Sequence, residues 1–187
     1  MPGPDIIYVL VQSLTNGKKY GIATSLGLVS GIIIHTSLVA FGVSAVIKSS
    51  EYLFFSIKLF GALYLLYLAY ITLKSNEEVF INTKAEKKGL LKLFKQGFIM
   101  NVLNPKVSIF FLAFFPGFLY SNSQSTVVQF YVLGGLFMVQ AFIIFSMVSV
   151  LSGSFANYLK KHPTFNSNIK WFKIVVFVGI AFFILFS

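Results

Sequence analysis

One stretch constrains this chain more than any other: Phe98-Ile-Met-Asn-Val-Leu-Asn-Pro-Lys-Val-Ser-Ile-Phe-Phe-Leu-Ala-Phe-Phe-Pro116. It is apolar and long enough to cross a bilayer, for which a helix needs about 20 residues. Yet Asn101, Asn104, Pro105 and Lys106 stand in its first half. Proline removes a backbone donor and clashes with the preceding turn, so a helix here must kink or break. Lys106 places a cation at hydrocarbon depth, at a cost of roughly 3 kcal/mol on insertion scales. An ionisable side chain beside a helix break within a membrane is the pattern of a substrate or ion site. The plainer alternative is a lysine that snorkels to the headgroups beside a proline that only shapes the helix.

The remainder of the chain agrees with a membrane setting. Of 187 residues 57% are hydrophobic and 11% charged, against about 45–50% and 25% in soluble domains. The formal net charge is +10, and all 15 basic residues are lysines. In a soluble protein that excess would suggest nucleic acid. Here the lysines gather in short connections between apolar runs and read as topology signals, so no nucleic-acid partner is expected. The absence of cysteine rules out disulfides, thiolate metal sites and a dithiol relay. No HExxH, phosphate-cradling glycine loop or Ser-His-acid set is present, so neither an enzyme nor a cofactor is expected.

The expected fold is an all-α integral membrane protein, one transporter domain over residues 1–187. Its helices are expected over about 4–16, 21–47, 52–73, 97–119, 127–151 and 169–186. A polar cytoplasmic loop is expected at 74–96, whose end, Gly89-Leu-Leu-Lys-Leu-Phe-Lys95, reads as a short amphipathic interface helix. Connections one, three and five carry Lys18 and Lys19; Lys74, Lys84, Lys87, Lys88, Lys92 and Lys95; and Lys160, Lys161 and Lys170. Connections two and four carry only Lys48. The positive-inside rule therefore puts the first set in the cytoplasm and both termini outside. From Met1 to Ser13 a helix would rise only about 20 Å, less than a hydrocarbon core of about 30 Å. The first helix is therefore expected to lack its N-terminal half, with an apolar segment upstream of Met1.

An internal echo suggests a six-helix bundle built as a 3+3 inverted repeat. Pro4-Asp5-Ile6-Ile7-Tyr8 can be laid on Pro105-Lys106-Val107-Ser108-Ile109: a proline, one charge of opposite sign, then an apolar run. Three crossings per half invert the second copy, which brings broken helices together at the midplane. Asp5 and Lys106 could pair there, or answer the ammonium and carboxylate of a zwitterion. Asp5 could also carry a proton. Gly27, Gly31 and His35 recur every four residues and share a helix face. The glycines read as a small-residue packing step. His35 reads as a proton relay or as a hydrogen-bonded packing residue. Asn101 and Asn104 could satisfy backbone groups freed by Pro105 or offer amides to a ligand. The candidate pathway is thus Pro4, Asp5, His35, Asn101, Asn104, Pro105 and Lys106. Lys58 and Lys173 extend the echo, though Lys58 reads more simply as snorkelling.

These residues together resemble the LysE/RhtB family of bacterial amino-acid exporters, over essentially the whole chain. The resemblance rests on Pro2-Gly3-Pro4-Asp5, Ser13-Leu14, Gly17, Gly21, Gly27, Gly31 and His35. It continues in Lys58-Leu-Phe-Gly61-Ala62-Leu-Tyr64-Leu65 and Phe94-Lys-Gln-Gly97-Phe98. It closes with Asn101, Asn104-Pro105-Lys106, Phe110-Phe111 and Pro116. It implies a six-helix inner-membrane carrier, a secondary transporter that moves amino acids or close derivatives outward in exchange for protons. The N-terminus departs from the family, whose first helix begins well before its Pro-Gly-Pro. Partners are then the amino acid, protons and the bilayer, and homo-oligomer formation stays open. The competing readings are an exporter of another solute or a cation on the same scaffold, which the scarcity of acids disfavours, and a non-transporting membrane subunit, which broken helices disfavour.

Overall fold

The computed structural model describes residues 4–74, 86, 88–121, 123–154 and 163–186, without the side chains of Pro4, Lys48 and residues 163–169. Lys84, Lys87, Lys160 and Lys161, used above for orientation, lie outside the described residues, as do Pro2 and Gly3. Every regular element named below is helical: α1 (Pro4–Asn16), α2 (Lys18–Leu38), a π-helical turn (Val39–Val43), α3 (Ser44–Ser49) and α4 (Glu51–Lys74). Then come α5 (Leu90–Val102), α6 (Pro105–Phe114), a 3-10 turn (Phe115–Phe118), α7 (Thr126–Val150) and α8 (Pro163–Phe186). Among the described residues three helices are long and apolar enough to cross a membrane: Lys18–Ile47, Glu51–Lys74 and Thr126–Val150. A fourth follows if α5 and α6 count as one broken span.

That break lies where Pro105 requires it. The expected helix over 97–119 is two helices separated by Leu103 and Asn104. The first begins at Leu90, so the segment read as an interface helix is the first half of α5. Leu93, Gly97 and Asn101 are buried along one face while Lys92 and Lys95 are exposed, the two-faced pattern of an amphipathic helix, and the helix runs on without a break to Val102.

The chain forms two compact units. The first holds the described parts of Met1–Ile32, Asn76–Leu103 and Phe137–Ile169. Within it α5 crosses α2 at glycines. A Cβ on Gly27 would run into the Phe94 carbonyl, and one on Gly97 into the Thr24 carbonyl. A Cβ on Gly31 would lie 2.6 Å from Asn101 Oδ1. The small-residue step expected at Gly27 and Gly31 is therefore real, and α5 is what it admits. In lipid, association of helices rests on such close dispersion contact rather than on escape from water. A second crossing is lined by hydroxyls. Ser13, Ser25 and Ser149 each donate to the carbonyl four residues back, Val9, Gly21 and Phe145, at 2.8, 2.8 and 2.9 Å. Ser25 and Ser149 meet at 3.5 Å. Side chains satisfied by their own helix can be buried without a stranded polar atom.

The second unit holds the described parts of Ile33–Ser75, Asn104–Leu136 and Lys170–Ser187. Gly61 of α4 lies against Ala113 of α6, so close that a Cβ on Gly61 would strike the Ala113 methyl. Around this contact Ala62, Leu65, Leu68, Ala181 and Ile184 form a buried core, flanked by Phe110 and Phe177. Gly134 of α7 leaves the space that the Thr36 side chain fills. Gln129, fully buried, closes the turn ahead of α7. Its Oε1 accepts from the Tyr120 and Ser121 N–H groups at 2.8 and 3.1 Å, and its Nε2 donates to the Ser121 and Gln124 carbonyls at 2.7 and 3.1 Å. Among the described phenylalanines some are exposed, such as Phe172 and Phe186, and others are fully buried, such as Phe111 and Phe130.

Candidate functional site

The geometry around the break follows from three consecutive residues. Asn104 is the N-cap of α6, with extended backbone, and its Oδ1 accepts from the Lys106 N–H at 3.1 Å. Asparagine is among the best N-caps because its side chain satisfies one of the orphan donors of the first turn. Pro105 follows at the first helical position, where a missing N–H costs nothing and its fixed φ suits the helix. The sequence that ends α5 is thus also the sequence that starts α6. Of the two roles considered for Asn104, satisfaction of freed backbone is the one observed.

Lys106 comes next, at the start of α6. A cation there opposes the helix dipole, whose positive end lies at the N-terminus. Its Nζ lies 5.3 Å from the centre of the Phe177 ring on α8. Lys106 is exposed, and the ring gives its cation a favourable partner. Phe177 was not singled out in the sequence, since an aromatic among 23 phenylalanines carries no signal of its partner.

His35 is buried, with only 1% of its surface exposed. Its Nδ1 lies 3.2 Å from Ser108 Oγ, and its ring packs 5.8 Å from that of Phe111. Ser108 Oγ also lies 3.4 Å from the Asn104 carbonyl. The second unit therefore gathers His35, Asn104, Pro105 and Lys106 with the break, and adds Ser108. The first unit holds Asp5, half-buried in the first turn of α1, and Asn101, buried against Gly31. Pro4 opens α1 as described, with its side chain outside the description. Lys58 is half-buried, its Nζ 5.6 Å from the Phe54 ring of its own helix.

An apolar cavity of about 370 Å³ opens in the second unit between α3, α4 and α6, lined by Val46, Leu53, Ile57, Phe60, Ile109 and Leu112. Ser56, also on its wall, bonds to the Tyr52 carbonyl at 2.8 Å. The cavity thus offers nothing to a charged head group.

Three apolar helices of spanning length, with a further pair broken at a capped proline, suit a multi-pass membrane protein. Comparison with known proteins makes that specific. The chain matches the family model described as LysE type translocator over residues 1–187, and it belongs to that family. Proteins named leucine efflux protein from Salmonella choleraesuis (strain SC-B67) and Salmonella typhimurium (strain LT2) are each 32% identical over 162 residues. These cover 84% of this chain and 74% of theirs. One of the same name from Klebsiella pneumoniae is 28% identical over 186 residues, 97% of this chain and 86% of its own. No solved structure matches. As a member of a translocator family the protein is a transporter and not an enzyme.

Proposed function

We propose that this protein exports a small apolar amino acid, leucine or a close derivative, across the cytoplasmic membrane in exchange for protons. The observation that carries the reading is the broken span, with Asn104 capping α6, Pro105 opening it and Lys106 at its start. A helix N-terminus concentrates free N–H groups and positive potential, and a substrate carboxylate is the anion such a site receives in a carrier. Lys106 adds a full charge to the same end. Leucine as cargo is carried over from the names of the relatives, which cover most of this chain.

In this reading Asp5 answers the substrate ammonium or carries the exchanged proton, and His35 relays protons. Asn101 and Asn104 line the route, and the bundle is a 3+3 inverted repeat of six crossings. Both termini face outward. Since the chain has no cysteine, single cysteines report on orientation. Lys19→Cys should resist a membrane-impermeant thiol reagent in intact cells and Ser123→Cys should react; the reverse pattern would invert the topology.

Transport is tested in cells that overproduce the protein and are fed leucine-containing dipeptides, which release leucine inside. The wild type should lower internal leucine and relieve growth arrest, and Lys106→Gln should not. Equal internal leucine in cells with and without the protein would remove leucine as the substrate.

A further inference from the structure

One face of α1 is polar along its whole length. At about 100° per residue Asp5, Tyr8, Gln12 and Asn16 fall within about 80° of arc, while Ile7, Leu10 and Leu14 take the opposite side. Gln12 is 2% exposed, and Asn16 Nδ2 donates to its Oε1 at 3.0 Å. The Tyr8 hydroxyl is buried beside the Gln12 side chain, with no hydrogen bond of good geometry among the described residues. The buried hydroxyls of the same unit behave differently. Ser13, Thr24 and Ser25 donate to the Val9, Tyr20 and Gly21 carbonyls of their own helices, which suffices for packing. A phenol cannot reach its own backbone in this way. An amide carries two donors and two acceptor lone pairs, of which Asn16 takes one. Polar groups held inside a membrane unit at such a cost mark the path of a polar cargo.

The stripe also has a depth. Gly17, at φ 102°, turns the chain, and Gly21 of α2 lies against Ser13, so α1 runs back along α2. From Asn16 to Asp5 the helix rises about 16 Å, about half of a hydrocarbon core of about 30 Å. Lys18 and Lys19 stand at the shallow end, which is cytoplasmic in the orientation proposed above. We infer that this stripe walls the inner half of the export route, with Asn16, Gln12 and Tyr8 passing the polar end of an amino acid inward to Asp5. Successive members are three or four residues apart, so each step is about 5–6 Å. At each step an amide or a phenol offers a donor to the substrate carboxylate and an acceptor to its ammonium. With Gln12 covered and held by Asn16, the stripe is shut in this conformation. Alternating access opens such a wall in one of a carrier's two states. The wetted face stands on the geometry of α1, and leucine as its cargo rests on the exporter reading.

The test separates the two. The chain has no cysteine, so Tyr8→Cys and Gln12→Cys on the stripe, and Ile7→Cys and Leu14→Cys opposite it, each carry one thiol. Membranes opened to both sides are treated with a cationic methanethiosulfonate, and total thiol is counted after denaturation. The reagent attacks thiolate, which forms in water and is suppressed in apolar surroundings, so the two stripe positions should react about tenfold or more faster than the two opposite. Excess leucine should slow the reaction on the stripe and leave the other side unchanged. Equal rates on both sides, or no reaction on the stripe, would overturn the inference. A fast stripe that leucine does not protect would keep the wetted face and remove leucine as its cargo. Gln12→Leu, at parental protein level, should lower export about five- to tenfold, the loss expected of one neutral hydrogen bond. Parental export by Gln12→Leu would take the amide off the route and overturn the inference as well.

Discussion

Gly27 and Gly97 face each other's helices backbone to backbone: a Cβ on Gly27 would enter the Phe94 carbonyl, and a Cβ on Gly97 the Thr24 carbonyl. Neither neighbour is a flexible side chain that could swing aside. Gly27→Ala or Gly97→Ala should therefore lower stability by about 1–3 kcal/mol through overpacking. Gly135 and Gly179, on α7 and α8, have open space where a Cβ would go. Alanine there should be neutral or gain about 0.5–1 kcal/mol of helix propensity. Thermal unfolding in detergent of the four variants reads the opposite signs. Uniform losses, or none, would mean that the α2–α5 crossing is looser than described.

Gln129 is the second structural keystone. Its amide makes four hydrogen bonds to the backbone ahead of α7 and is fully buried. Gln129→Leu fills the space and strands the N–H groups of Tyr120 and Ser121. The bonds lost are part-buried and worth about 0.5–1.5 kcal/mol each, so a loss of about 1–3 kcal/mol is expected in the same unfolding assay. A variant as stable as the parent would show that water takes over these groups.

At the break, cap and proline should separate. Asn104→Ala removes the bond to the Lys106 N–H and should cost about 1 kcal/mol, while Asn104→Asp keeps an acceptor and most of the stability. Pro105→Ala permits a continuous helix. It should leave protein level intact and reduce export. Export at the parental rate by Pro105→Ala would mean that the break has no part in transport.

The break was legible in the sequence because its cause is local: Asn104-Pro105 both caps and interrupts. The packing role of Gly27 and Gly31 was legible from their spacing by four. What each glycine admits was not, because Gly97 and Asn101 stand some seventy residues away on α5, and pairing between helices leaves no mark within either one. Gln129 and Ser108 were missed for the same reason. Each is an ordinary polar residue until its partners are in place. The helix expected over 89–95 is present, and what was not legible is that it runs on without a break to Val102, because Lys88, Lys92 and Lys95 set it apart from the apolar run that follows. In a membrane protein a helix can extend past the hydrocarbon and keep its lysines on one side.

Asp5 and Lys106 are read from the sequence as one functional unit of opposite charges. Removing one charge should cost more than removing both, because an uncompensated charge at depth is the costly species. Asp5→Asn, Lys106→Gln and the double variant form a double-mutant cycle in which protein level and export are both measured. The double variant should accumulate better than either single variant and still fail to export. Strictly additive losses in level, or full export by Asp5→Asn, would uncouple the two residues.

The most direct measurement of the central claim uses purified protein in liposomes loaded with labelled leucine. An acidic exterior should speed leucine exit, and a proton carrier that collapses the gradient should abolish the increase. Lys106→Gln, reconstituted at equal amount, should remain near the rate of protein-free vesicles. Leucine exit that ignores the pH gradient would contradict the proton coupling, and exit no faster than from empty vesicles would contradict the account of this protein as a leucine exporter.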